Sequence, residues 1–202
     1  MKNKTIAIFD FDGTITNKNS FIHFVEFLFN KRDTYIGLFF LSPIFLLFKL
    51  KILNNKTAMN NVIKFYINGM SKEKLEEQAK IFNSSGYLNR IVKKSALDKI
   101  KYHQNLNHKV IIVSASSETW IKDWCDERNI ELLSNKLKFN KNNIYKGGFS
   151  TLYCWGDEKV RRIRELFDMK KYKEVYVYGD TNGDKPMLKL ATNNKSFYKF
   201  FN

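Results

Sequence analysis

The stretch Ile6-Ala7-Ile8-Phe9-Asp10-Phe11-Asp12-Gly13-Thr14 carries an apolar run straight into two carboxylates, a glycine and a threonine. Four consecutive β-branched, small and aromatic residues after a short polar start suit a strand buried on both faces. Asp10 then sits at the carboxyl end of that strand, and open parallel sheets bind ligands in the crevice outside those ends. Asp10 and Asp12 are two residues apart, so both carboxylates stay close if the chain remains extended one step further. Two anions held together repel, and a divalent cation is the simplest remedy. Gly13 permits a tight turn, and with Thr14 it presents amide and hydroxyl donors where a phosphate oxygen can sit. The bland alternative, a chain reversal built on Asp and Gly, requires neither the second carboxylate nor so good a strand.

Three further segments repeat the pattern of strand end and polar turn. Val110-Ile111-Ile112-Val113 ends at Ser114, and Ala115-Ser116-Ser117-Glu118 leads into an expected helix. A hydroxyl there, beside the amides of a helix start, can hold a phosphate oxygen, although capping is the commoner duty of such serines. Lys159 opens a segment in which Val160, Ile163, Leu166 and Phe167 recur at helical spacing. A lysine in a first turn faces the positive end of the helix dipole, so an anion should hold it there. A solvated lysine beside Asp157 and Glu158 is the competing reading. Finally, Val175-Tyr176-Val177-Tyr178-Gly179-Asp180 is a strand ending in glycine and carboxylate, with Asp184 four residues on and Pro186 at an expected helix start.

Asp10-Phe11-Asp12-Gly13-Thr14 resembles the first motif of the haloacid dehalogenase (HAD) superfamily, and Ser114, Lys159 and Asp180 with Asp184 resemble its second, third and fourth in the expected order. That resemblance implies an α/β fold: a Rossmann-like core with a parallel sheet flanked by helices, and a helical C1 cap inserted after the first motif. It places the core at 1–15 and 95–202 and the cap at 16–94. It also implies a Mg2+-dependent phosphomonoesterase. Asp10 is the nucleophile that becomes an aspartyl-phosphate, Asp12 the general acid and base, and Ser114 and Lys159 the cradle for phosphoryl oxygens. Asp10, Asp180 and the backbone carbonyl of Asp12 hold the metal, with Gly13, Thr14, Ala115 and Asp184 in support. Family dehalogenases do not need the second aspartate of the first motif, and P-type ATPases carry threonine there, so Asp12 favours a phosphatase.

Within the superfamily the chain is similar to the HAD-IB group that includes phosphoserine phosphatase. Those enzymes place a glutamate just after the first motif to hold the substrate amine, whereas here that segment is Asn17-Lys18-Asn19-Ser20 and the first acid is Glu26. A closer resemblance in pattern is to the bacterial phosphatidylglycerophosphate phosphatase. It rests on a phenylalanine-rich first cap helix, a long apolar cap segment with a proline, and Cys154-Trp155-Gly156-Asp157-Glu158-Lys159.

The apolar segment, Ile36 to Phe48, contains no charge in thirteen residues. As a helix it would reach roughly 20 Å, short of the roughly 30 Å hydrocarbon core, and Pro43 is expected to kink it. It reads equally as an element meeting a membrane surface through residues 36–53, with Lys31, Arg32, Lys49, Lys51 and Lys56 at the headgroups, or as the core of the cap or a dimer contact. Other helices are expected from Asn19 or Ser20, with Phe21, Phe24, Val25 and Leu28 on one face, at Ala58 to Ile67, and at Ser71 to Phe82.

The 202 residues include 35 lysines and arginines against 20 acids, a net charge of +15. That excess favours anionic partners of any kind, whether a phosphorylated small molecule or a lipid headgroup. The lysines are spread along the chain, so no specific nucleic-acid arm is expected. Cys125 and Cys154 are the only cysteines and lie outside any metal-ligand spacing, which suggests a reduced compartment. Because Met1-Lys2-Asn3-Lys4-Thr5 runs directly into the first strand, no signal peptide is expected, and the location is read as cytoplasmic, with the inner face of the membrane as the place of any membrane contact.

Overall fold

A computed structural model describes residues 4–201. Residues 1–3, on which the expectation about a signal peptide partly rests, lie outside the described residues. The first strand, β1 (Lys4–Phe9), is followed by helices α1 (Ser20–Phe40), α2 (Ser42–Lys49), α3 (Asn55–Ile67), α4 (Lys72–Ser84) and α5 (Lys94–Asn105). Next come β2 (Lys109–Ser117), α6 (Glu118–Asp126), β3 (Glu131–Asn135) and a small hairpin of β4 (Leu137–Phe139) and β5 (Tyr145–Phe149). The chain ends with α7 (Asp157–Leu166), β6 (Tyr172–Gly179), α8 (Lys185–Leu188) and β7 (Ser196–Tyr198).

Five strands form one parallel sheet in the order β3-β2-β1-β6-β7. This is the expected α/β architecture, a parallel sheet flanked by helices. Strand β1 lies at its centre because it can be buried twice. Ala7 and Phe9 face a cluster with Phe24, Ile112 and Trp120, while Ile6 and Ile8 face a second cluster with Ile111, Ile163 and Met187. The period of two in a strand divides one apolar run between two cores. The chain crosses from β1 to β2 on one side and later returns to β6 on the other, so the carboxyl end of β1 is the topological switch point where such sheets open a crevice.

Four details depart from the sequence expectations. Strand β2 does not stop at Val113 but continues to Ser117, where a register shift precedes the pairing of Ser117 with Asn135. Asn135 Nδ2 donates to the Ala115 carbonyl at 2.5 Å, which gives that backbone a partner beyond the regular ladder. Pro43 does not kink a long helix. The apolar stretch breaks at Leu41, and Pro43 stands in the first turn of α2, where its missing N–H costs nothing. Helix α1 is itself interrupted at Asn30 (φ 67°, ψ 166°), whose Oδ1 accepts from the Asp33 amide and so caps the second half. Leu166, expected on the packed face of α7, is 59% exposed, because the helix ends there and Phe167 turns inward instead.

Candidate active site

Asp10 follows β1 directly, and its amide donates to the Tyr178 carbonyl at 2.9 Å, which extends the β1–β6 ladder by one residue. Its side chain is thereby aimed out of the sheet end while remaining only 5% exposed. Lys159 Nζ approaches Asp10 Oδ1 at 2.6 Å and Asp184 Oδ1 at 2.7 Å. The lysine is buried in the first turn of α7, so two carboxylates provide the anion that the unfavourable end of the dipole demands. Thr14 Oγ1 lies 3.0 Å from Asp180 Oδ1 and 3.2 Å from Asp10 Oδ2, joining acids that are 170 positions apart in sequence.

Gly13 makes this approach feasible. Its φ is +85°, and a Cβ there would fall 2.2 Å from Asp180 Oδ2. Both the backbone sign and the space exclude a side chain.

Carboxylate oxygens of Asp10, Asp180 and Asp184 lie within 4.8 Å of one another. Their surroundings separate their roles. Asp184 has both oxygens engaged: one meets Lys159, while the other accepts from the Asp180 amide, the Thr181 amide and the Thr181 hydroxyl. Burial pushes the Asp184 carboxyl up, but Lys159 and Thr181 outweigh it and hold the group below its usual range. Burial dominates at Asp10 and pushes it up to about 8, against the pull of Lys159 and with further upward pressure from Asp184. Asp180 is also raised, by burial first and in spite of its bond from Thr14. One lysine therefore does not neutralise three acids. Asp10 and Asp180 are the pair left short of positive charge, and hard oxygen donors of this kind suit Mg2+. The structure thus supplies the donor set for a divalent ion at Asp10 and Asp180, with Asp184 already committed to lysine and backbone.

The Asp12 carboxylate turns the other way. Oδ1 accepts from the Ser20 amide at 2.7 Å, and Oδ2 accepts from Ser116 Oγ and from Asn19 Nδ2. It therefore sits on the amino end of α1, whose N-cap is Asn19. Burial raises its pKa, while the bonds from Ser116 and Ser20 oppose that rise.

Asp10, Asp12, Gly13, Ser114, Ala115 and Lys159 all line one cavity of about 320 Å³. Ser114 is buried, and its Oγ accepts from the Ser116 amide at 3.0 Å. Asp180 and Asp184 stand behind this wall, with Thr181 on its surface. The outer lining comes from the helical stretch, with Asn17, Lys18, Asn19, Asn55, Met59 and Ile63, and from Tyr153 and Trp155. Asp10 and Asp12 are the only acids among these lining residues. Glu26 is instead buried against His23 Nδ1 at 3.0 Å.

Several residues that shape the site were not evident from sequence. Asn135, fully buried, bridges the Ala115 carbonyl and the Cys154 amide and so ties β2 to the loop before α7. Lys93 Nζ donates to the Gly13 carbonyl at 2.7 Å and to the Phe201 carbonyl at 2.6 Å. Ser116 and Ser20 share a hydrogen bond, and Trp120 Nε1 donates to Ser20 Oγ. The serine run after Val113 was a usable signal for Ser116. A single lysine or asparagine in a chain so rich in both gave none for Lys93 and Asn135.

Residues 7–189 match the profile of the family described as haloacid dehalogenase-like hydrolase. Protein CicA of Caulobacter vibrioides is 26% identical over 197 residues, 97% of this chain and 86% of that protein. Among solved structures, a protein of unknown function from Bordetella pertussis Tohama I is similar at TM-score 0.80 and 16% identity, covering 95% of this chain and 89% of the other. A phospho-aspartyl intermediate analogue of phosphoserine phosphatase is similar at TM-score 0.66 and 16% identity, covering 94% and 84%. At such identities the likeness to the solved structures is one of fold.

Proposed function

Since the chain belongs to the haloacid dehalogenase-like hydrolases, we propose that it is a Mg2+-dependent phosphomonoesterase that works through an aspartyl-phosphate on Asp10. The observation that carries this reading is the meeting of Asp10 and Lys159 on the wall of one cavity, with the Asp180 carboxylate behind them and close enough to Asp10 to share a cation. The fold likeness to a phosphoserine phosphatase caught as a phospho-aspartyl analogue supports it.

In this mechanism Lys159 and Thr14 orient Asp10, and one carboxylate oxygen attacks the phosphorus of the ester. The bond to the ester oxygen breaks, and Asp12 gives that oxygen its proton. Asp12 then takes a proton from water, whose oxygen attacks the phosphoryl group on Asp10 and releases inorganic phosphate. Ser114 and the amides after β1 and within β2 hold the phosphoryl oxygens through both steps. When bound by Asp10, Asp180 and the Asp12 carbonyl, Mg2+ supplies the positive charge that offsets both the acids and the phosphoryl oxygens. The raised pKa of Asp12 keeps a proton available to the leaving group closer to neutrality than an ordinary aspartate would.

We read the ester as the phosphorylated headgroup of a membrane lipid, such as phosphatidylglycerophosphate, met at the inner face of the membrane. Two observations support this. No acid besides Asp10 and Asp12 lines the cavity to receive a substrate amine, while Lys18 offers a cation at its mouth. An apolar groove also adjoins the cavity, sharing Asn19 and Met59 with it. The stretch 16–94 acts in this reading as the cap that selects the substrate. The alternative is a soluble sugar, nucleotide or amino-acid phosphate with the apolar surface used for packing or dimerisation.

A panel of phosphomonoesters, run with Mg2+, with chelator and with Asp10→Asn, tests the proposal. Hydrolysis should require the metal, fall at least roughly a thousandfold in the variant, and favour the lipid ester. Metal-independent turnover would refute the chemistry, and preference for soluble esters would refute the substrate class.

A further inference from the structure

The second half of α1, all of α2 and the turn after it leave many large apolar side chains exposed. Helix α2 has no buried residue. Phe39 is 75% exposed, Phe40 67%, Leu46 58% and Ile52 66%. Each such side chain left in water forgoes roughly 1.5–3 kcal/mol of burial, and monomers rarely expose large contiguous patches of this kind. The fold itself therefore does not account for this surface.

Charge decides what covers it. Lys31, Arg32, Lys49, Lys51, Lys56 and Lys64 are all exposed in the same stretch, and Asp33 is the only acid between Glu26 and Glu73. A second copy placed on the patch would bring six cations against six. An anionic lipid surface neutralises them, at about 1 kcal/mol for each basic residue close to it. No helix among the described residues is long and apolar enough to cross a membrane. The eight residues of α2 span only about 12 Å, which suits an element lying in the interface.

We propose that the α1–α2 hairpin docks this protein on the surface of an anionic bilayer, with Phe39, Phe40 and Leu46 among the acyl chains and the lysines at the headgroups. The adjoining groove, lined by Ile22, Tyr35, Leu38, Phe45 and Met59, leads from that surface toward the catalytic cavity. Delivery of a lipid-borne phosphate along it rests on the function proposed above, whereas docking does not.

The test is co-sedimentation of the full chain with vesicles of phosphatidylcholine alone or mixed with phosphatidylglycerol. The triple variant Phe40→Ser, Leu46→Gln, Ile52→Gln and the pair Lys49→Glu, Lys51→Glu are run beside it, with thermal melts to verify folding. The native chain should bind the anionic vesicles and not the neutral ones. The triple variant should lose about tenfold or more of this binding, with its melting and any soluble-ester hydrolysis unchanged. The charge pair should lose binding most at low salt. Native protein left in the supernatant, or a folded triple variant that binds as well as the native chain, overturns the proposal. So does a native dimer that the triple variant makes monomeric. Vesicle binding without any ester hydrolysis would sustain docking and remove the proposed chemistry.

Discussion

Lys159 is the side chain on which the buried charges of the site depend. It is 2% exposed and pairs with Asp10 and Asp184, whose attraction raises its pKa against the cost of burial. Lys159→Met should destabilise the metal-free protein by roughly 3–5 kcal/mol, because two carboxylates lose their partner inside the fold. Urea denaturation measures this, and any ester hydrolysis should fall by about 100-fold or more with the loss of the charge proposed to face the phosphoryl oxygens. Gly13 is constrained by space rather than charge. Gly13→Ala places a methyl group against Asp180 at a φ that disfavours it, so metal-dependent turnover should drop while the far side of the sheet stays folded. Turnover equal to the native chain would show that Asp180 need not approach so closely. At this scale the sequence was informative where chemistry imposes residue type and spacing. Asp10, Asp12, Ser114 and Lys159 line one cavity, with Asp180 and Asp184 behind it. Asn135 and Lys93 were illegible because their work is to bind carbonyls from distant segments, which only the folded chain brings near.

Between elements, α5 is tied to the sheet through a pair of imidazoles. His103 is fully buried, its Nδ1 2.8 Å from His108 Nδ1 and its Nε2 3.0 Å from the Tyr178 hydroxyl. Burial, with His108 and Lys99 nearby, depresses His103 to about 4. The unfolded chain, with an ordinary histidine near 6.5, therefore binds more protons between those values, and stability rises with pH through that window. The contribution is complete above about pH 6.5 and is lost as pH falls toward 4, a change on the order of 3 kcal/mol for this group. Denaturation midpoints measured across that range should show the loss, and His103→Phe should flatten it. An unchanged pH profile in that variant would mean that the imidazole pair carries no linkage. Element types were readable where an apolar run ended in a polar turn, as in β1, and the helices α3 and α4 fell where helical segments were expected. The β4–β5 hairpin was not, since Leu137-Lys138-Phe139 and the glycine-interrupted Tyr145-Lys146-Gly147-Gly148-Phe149 are too short to show a period. Yet it anchors the helical stretch, through Gly69 to the Tyr145 carbonyl and Gly148 to Asn60. The break at Leu41 was misplaced for a related reason: a proline marks a boundary, but its neighbours decide on which side of it the helix begins.

For the whole molecule, the sheet makes one site from residues near both ends of the chain, at the point where strand order reverses around β1. A cation bound there stabilises the folded state alone. Mg2+ at about a hundred times its dissociation constant should add roughly 2.7 kcal/mol, seen as a raised melting temperature that chelator reverses. Asp180→Asn should abolish the shift while leaving the metal-free melt in place or slightly raised, since one of the repelling acids is gone. An equal shift in that variant would locate the ion elsewhere. The central claim, that Asp10 takes the phosphoryl group, is tested most directly by acid-quenching the enzyme during turnover of a phosphomonoester with Mg2+ and mapping its peptides by mass. One phosphoryl group should be found on the peptide bearing Asp10, absent with chelator and absent in Asp10→Asn. Undiminished hydrolysis by Asp10→Asn, or a phosphoryl group trapped on another residue, would contradict it.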